Sequence, residues 1–335
     1  MKIVFQVLRV GSGGDVYYES LSKELQKIGI DNQIIFYNKW FQFFPYFLKF
    51  FKKEVACDII HSEIEYAWVF KKKGTPLVVS AFHLVFDKQF QKHTSFFQKI
   101  YHYLILKSNI KKSIHEANKI ICISKYTNDA VKKMYGCESK IQLIYPGIDF
   151  NIFKPLNVKK YDKGKFHLIF VGNLIKRKGV DLLPKIMKKL GKNYMLSYTS
   201  GLRTKPSNNF DLPNMILLGK LSEEELVKKY NESDALLAPS RLEGFGYQIA
   251  EAMACGKPVI ATDYSSIPEL IKNEENGFLC QLNSIDDFVL KIIKLGNNPK
   301  LRLKMGKANR ERVIDKFGID RMCRKIENLY LNLIK

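Results

Sequence analysis

Arginine is scarce in a chain that is otherwise strongly basic. Only nine of its 55 Lys and Arg residues are arginine, against 33 Asp and Glu, for a net charge of +22. Arginine is the side chain suited to planar, bidentate reading of bases and phosphates. Its scarcity argues against specific nucleic-acid recognition, while a lysine-rich surface fits solubility and diffuse attraction to anionic lipid. No apolar run approaches the 18 residues of a membrane-spanning helix. The opening MKIVFQVLRV passes from one lysine into a strand-like run with no small-residue cleavage site, so no signal peptide is expected. The six cysteines (57, 122, 137, 255, 280, 323) are scattered, with no C-x-x-C and no clustered histidines. That pattern excludes a disulfide framework or zinc ribbon as the simplest reading and leaves reduced thiols in a cytoplasmic protein.

Core material is ample. With 46% hydrophobic residues in 335, two domains of about 150 residues are expected. A strand–loop–helix alternation begins with KIVFQVL (2–8), of the continuous apolar kind found in parallel sheets. It runs into the loop Gly11-Ser-Gly-Gly-Asp15 and a helix over 16–28. The dinucleotide fingerprint G-x-G-x-x-G fails because Val16 stands where the third glycine belongs. Asp31 also precedes the second strand instead of ending it, so a dehydrogenase is poorly supported. The polar, lysine-rich 157–165 reads as a linker. The alternation then restarts with HLIFV (167–171), the loop 172–179 and a helix beginning near Val180.

The most informative stretch is 238–263, APSRLEGFGYQIAEAMACGKPVIATD. Glu243 and Glu251 stand eight residues apart with Gly244 and Gly246 between them. A capping box from Ser240 to Glu243 is the plain alternative. It would place both glycines in the first helical turns, each losing roughly 1 kcal/mol against alanine. Glycine is better used where the backbone bends or meets a ligand closely. The helix is therefore expected to start near Gly246 or Tyr247, with Glu243 on the loop before it and an anion site at the helix start. Eight helical residues span roughly 12 Å, more than the roughly 5–9.5 Å between paired glycosidase carboxylates. The pair suits the two ends of one extended ligand with an anionic middle, such as a nucleotide-sugar.

Glu243-Gly-Phe-Gly-Tyr-Gln-Ile-Ala-Glu251 and the AMACGKPVIATD that follows resemble the E-x7-E region of the retaining GT-B glycosyltransferases, of the family 4 and group 1 type. That resemblance implies an α/β fold of two Rossmann-like, doubly wound parallel-sheet domains facing an interdomain cleft. It divides the chain into an N-terminal acceptor domain (1–156), the linker 157–165, a donor-binding domain (166–318) and a last helix (319–335) crossing back to the first domain. Glu243 would hold hydroxyls of the donor sugar, and the backbone from Gly244 through Phe245, Gly246 and Tyr247 would face sugar and phosphate. Gln248 would lie beside the phosphates and Glu251 would bind the ribose. Gly13 and Gly14 match a glycine pair that lets the backbone approach the donor. Lys178 matches the lysine that neutralises the diphosphate, whereas Asn173 stands where the family usually has arginine. Arg177 or Arg241 is a candidate substitute. Gly219 and Lys220 fall where family members meet the base through backbone. His83, at the end of a strand over 76–81, matches a histidine facing the donor sugar. Tyr264-Ser265-Ser266 replaces a usual glycine pair. No D-x-D pair occurs, and the family generally needs no divalent ion, so neither metal nor cofactor is expected.

The implied activity is transfer from a UDP- or GDP-linked sugar to a glycan or lipid-linked acceptor in cell-surface polysaccharide, lipopolysaccharide or glycolipid assembly. It would take place in the cytoplasm or at the inner face of the cytoplasmic membrane. A nucleotide-sugar 2-epimerase of the same fold and a non-catalytic basic binding protein are the alternatives. Residues 40–53, WFQFFPYFLKFFKK, hold eight aromatics and end in two lysines. They read either as a helix packed on the first sheet or as an interfacial segment meeting an anionic membrane.

Overall fold

The computed structural model describes residues 1–334 except 83, 84, 93, 160–163, 202–209 and 211. The chain forms two compact units, Met1–Gly147 with Ile319–Lys335, and Ile148–Gly318. The second unit thus begins at Ile148, and the last helix, Ile319–Ile334, counts with the first.

The first unit holds six strands: β1 (Lys2–Arg9), β2 (Asp31–Asn38), β3 (Ile59–Glu63), β4 (Leu77–Ala81), β5 (Lys119–Cys122) and β6 (Ile141–Leu143). They lie all parallel in the order β2-β1-β3-β4-β5-β6. β3 and β4 are buried along their whole length, as strands covered on both faces must be. The last helix packs beside the helix Gly13–Lys27. It is pinned from within by Tyr330, whose hydroxyl lies 2.6 Å from His61 Nδ1, while His61 Nε2 lies 2.7 Å from Ser80 Oγ. Burial pushes His61 down to about 3, so the imidazole is neutral and its two nitrogens divide into one donor and one acceptor.

The second unit repeats the plan with β7 (Phe166–Phe170), β8 (Tyr194–Thr199), β9 (Met215–Gly219), β10 (Ala235–Ala238), β11 (Val259–Thr262) and β12 (Gly277–Cys280). Their order, β12-β11-β10-β7-β8-β9, is all parallel and matches that of dinucleotide-binding sheets. β7 and β10 are neighbours from which the chain winds in opposite directions. The crevice outside their carboxyl ends is the switch point where such sheets take ligands.

Several elements depart from the pattern read in the sequence. The first helix begins at Gly13, three residues early, because Ser12 caps it by accepting the Gly14 N–H at 3.2 Å. Asp15, in its first turn, accepts the Gly11 N–H at 2.6 Å. Gly13 and Gly14 therefore belong to a helix start instead of a loop. A single 3₁₀ turn, Ala67–Phe70, stands between β3 and β4 in place of a crossover helix. Residues 40–53 form a 3₁₀ turn (Lys39–Gln42) and a short helix (Pro45–Phe51), and most of their aromatics stay exposed. Asp149 orders the turn that follows it, accepting from the Asn151 N–H at 2.9 Å.

Candidate functional site

Two loops of the second unit meet at the switch point. One follows β7 and makes a 3₁₀ turn at Lys176–Lys178; the other follows β10 and carries Glu243. They are stitched together by backbone. The Arg241 N–H donates to the Arg177 carbonyl at 2.8 Å, and Arg177 Nη1 donates to the Leu242 carbonyl at 2.8 Å. Gly179 closes the first turn at φ +72, so near Pro239 that an added Cβ would lie 2.0 Å from its carbonyl oxygen. Only glycine fits there, and Lys178 is delivered next to Glu243 as a result.

Glu243 is the hub. Lys178 Nζ donates to its Oε1 at 2.6 Å and Gln248 Nε2 donates to the same oxygen at 2.7 Å. Arg177 Nη1 stands 3.9 Å from Oε2. Glu243 and Lys178 are 5% and 9% exposed. Burial alone would push the Glu243 carboxyl up, but the Lys178 and Arg177 charges outweigh it and hold it at about 2. The main chain at Glu243 is held too. Its N–H donates to Ser265 Oγ at 3.0 Å, and the Ser266 hydroxyl lies 3.0 Å from the Glu243 carbonyl and 3.1 Å from that of Phe245.

The helix over the site runs Tyr247–Ala254, so Glu243 lies on the preceding loop and the Ser240 capping box does not form. Gly246 enters it at φ +103, a conformation that favours glycine, and no side chain caps the helix start. The Phe245 side chain turns into the core against Phe317, with ring centroids 5.7 Å apart. Glu251, one turn inside, receives the Tyr230 hydroxyl at 2.8 Å, and burial pushes its carboxyl up to about 7.

The structure thus brings Lys178, Arg177, Gln248 and Glu243 together, with Glu251 farther along the same helix. The two candidate arginines separate clearly. Arg241 is engaged by Asp181 through Nη1–Oδ1 (2.6 Å) and Nη2–Oδ2 (2.8 Å), and its Nε donates to Asn283 at 2.7 Å. Arg177 alone of the two stands at Glu243. Asn173 lies against Gly201, where an added Cβ would meet its Oδ1 at 2.4 Å. Gly219 ends β9 at φ +74 and Lys220 is exposed beside it. Gly13 and Gly14 belong to the first unit, where a Cβ at Gly14 would come within 3.1 Å of Glu63 Oε1. His83 lies outside the described residues. Sequence reasoning missed Tyr230, Ser265 and Ser266. The serines are polar residues placed where glycines were expected, the one signal that pointed to them. Among the described residues no group of three or more His, Cys, Asp or Glu is placed to hold a metal ion, and no helix is long and apolar enough to cross a membrane.

The family described as "Glycosyl transferases group 1" matches residues 154–312, and "Glycosyltransferase Family 4" matches residues 34–151. An uncharacterized glycosyltransferase of Methanocaldococcus jannaschii is 32% identical over 241 residues, 69% of this chain and 66% of that one. The UDP-Gal:alpha-D-GlcNAc-diphosphoundecaprenol alpha-1,3-galactosyltransferase of Escherichia coli is 25% identical over 314 residues, 85% of this chain and 78% of that one. Among solved structures, HepE of Anabaena in complex with UDP-glucose aligns with a TM-score of 0.78 at 17% identity, covering 99% of this chain and 100% of that one.

Proposed function

We propose, from the premise that the chain belongs to the group 1, family 4-like glycosyltransferases of GT-B fold, that it moves a sugar from a nucleoside-diphosphate donor to a glycan or lipid-linked acceptor with retention of configuration. The observation that carries this reading is the buried Lys178–Glu243–Gln248 cluster, with Arg177 at its edge, beside the uncapped start of the Tyr247–Ala254 helix. Each part has a physical task. The helix start and Lys178 face the charge that grows on the leaving diphosphate, a stabilisation exerted where the transition state needs it. An ammonium carries three donors, so Lys178 can keep Glu243 and still take a phosphate oxygen. Arg177 supplies the second positive charge that the family places at residue 173.

Glu243, held ionised, is an acceptor for sugar hydroxyls and not a proton-transfer base, since a carboxyl at about 2 is a weak base at neutral pH. Glu251, ionised above about 7, accepts the ribose hydroxyls. The reading assigns the diphosphate charge to Lys178, Arg177 and the helix start, without a divalent ion. UDP is the favoured nucleotide, because the structural neighbour HepE holds UDP-glucose. A diphosphate-linked lipid is a favoured acceptor class, because the Escherichia coli relative uses one. Assembly of a cell-surface polysaccharide or glycolipid from the cytoplasmic face of a membrane fits both.

The test is a donor panel of UDP-, GDP- and ADP-sugars, with chelator present, on wild type and Glu243→Ala. Thermal stabilisation by one nucleotide class, together with slow donor hydrolysis that the variant loses, is expected. The anomeric configuration of the released sugar, read by NMR before mutarotation, reports retention directly. No stabilisation by any donor would overturn the reading.

A further inference from the structure

The first unit carries an apolar surface that the donor chemistry does not use. Trp40, Phe47 and Phe50 project from residues 40–51, and Phe96, Phe97 and Leu104 from the helical run that begins at Phe96. Phe50 and Phe97 are 83% and 81% exposed. The two segments form one surface, because the Phe43 and Tyr101 rings meet at 5.8 Å and the Tyr101 hydroxyl donates to the Gln42 carbonyl. Contiguous exposed apolar surface of this kind marks an interaction site.

Its charge identifies the partner. Residues 39–53 and 94–112 hold four lysines each and no Asp, Glu or Arg. Some of these lysines lie over aromatic faces: Lys49 Nζ stands 4.8 Å from the Trp68 ring, and Lys112 Nζ stands 4.7 Å from that of Tyr46. Ammonium groups held over aromatic faces keep positive charge beside exposed apolar side chains, a pairing suited to the boundary between a leaflet and its headgroups. A groove beside the patch is lined by Lys88, Lys92 and Lys99 together with Phe86, Gln91 and Tyr103, which suits a phosphate headgroup. A second copy of the chain would set lysines against lysines with no carboxylate between them, which like charge opposes.

We propose that this two-segment surface docks the first unit on an anionic lipid bilayer, aromatics in the leaflet and lysines on lipid phosphates. The proposal does not rest on the donor reading, and its test needs no turnover. The full chain is sedimented with vesicles of phosphatidylcholine alone and of phosphatidylcholine mixed with phosphatidylglycerol. Binding is expected only to the mixed vesicles, weakening with added salt, and roughly fivefold weaker for each of Lys92→Gln and Lys99→Gln. Phe50→Ser with Phe97→Ser should abolish it without altering circular dichroism or donor hydrolysis, since both side chains are exposed. Trp40 is a built-in reporter. It is 65% exposed against 9% for Trp68, the other tryptophan, so its emission should shift blue on binding and the shift should vanish in Trp40→Phe. No binding to either vesicle, equal binding to both, or self-association that the Phe50→Ser, Phe97→Ser variant breaks without any vesicle binding would each overturn the proposal.

Discussion

Replacing Lys178 by methionine tests the physics of the site most directly. The substitution keeps the length of the stem and removes the charge that meets Glu243 at 2.6 Å. The Glu243 carboxyl lies at about 2 in the folded protein against an ordinary 4.5. A difference of that size corresponds to about 3 kcal/mol of stability at neutral pH. Because the folded value is the lower one, this contribution is whole above 4.5 and drains away as pH falls toward 2. Arg177 shares in that depression and burial lowers the Lys178 ammonium itself, so urea unfolding of Lys178→Met should show a loss of up to about 3 kcal/mol at pH 7. At about pH 3.5 the loss should shrink by more than ~1 kcal/mol, as the wild type itself forfeits the contribution. The double variant Lys178→Met, Glu243→Gln buries no unpaired charge and should recover most of the difference at pH 7. Activity should not recover with it, since loss of one preorganised charge at the diphosphate is expected to lower kcat by roughly 10²–10³. A destabilisation identical at both pH values, with no recovery in the double variant, would refute the electrostatic account of the pair.

Glu251 titrates in the opposite sense. Burial raises it to about 7, so the stability of its neutral form is whole below 4.5 and is lost as pH rises through about 7; because the ionised form accepts ribose hydroxyls more strongly than the neutral acid, the donor KM should fall between about pH 6 and pH 8, and Glu251→Gln should erase that dependence. Tyr230→Phe removes a hydrogen bond that lowers the Glu251 carboxyl and should move the KM step to higher pH, measured by the same titration. Asp181→Asn releases the Arg241 guanidinium that joins the two site loops; a lower Tm and a raised donor KM are expected, readable by calorimetry and donor titration. Tyr330→Phe leaves buried His61 short of one partner and should cost about 1 kcal/mol in urea unfolding with the donor KM unchanged.

The parts of the site that were legible in the sequence are those whose chemistry is local. Gly244 and Gly246 placed the start of the helix, because two glycines in a first turn oppose a helix and two on a loop do not. Lys178 and Glu243 could be named from their motifs, although only folding brings residues 65 positions apart to 2.6 Å. What stayed hidden depends on partners distant in sequence. Arg241 read as a free candidate for the diphosphate until Asp181 and Asn283 were found to hold it. Tyr230 carries no motif signal in the sequence, yet its hydroxyl reaches Glu251. The segment 40–53 left two readings open because its aromatics are too continuous to show one face. In the structure the Pro45–Phe51 helix buries Pro45 and Leu48 and leaves Phe44, Phe47 and Phe50 exposed, so packing accounts for one face only.

Both departures from the family pattern converge on Glu243, and the structure answers each with a side chain. Where arginine is usual the chain has Asn173, and Arg177 from four residues on stands at the Glu243 carboxylate instead. Where a glycine pair is usual the chain has Tyr264-Ser265-Ser266, yet the backbone still takes the left-handed turn, with Ser265 at φ +57. That conformation costs a non-glycine residue roughly 1–2 kcal/mol. The Ser265 hydroxyl offsets about 1 kcal/mol of it by receiving the Glu243 N–H. Ser266 ties the carbonyls of Glu243 and Phe245 from the other side. Glycine in these places would leave the loop free to approach a ligand by its backbone. Serine makes the loop part of a fixed frame, so the orientation of Glu243 is set before any donor arrives.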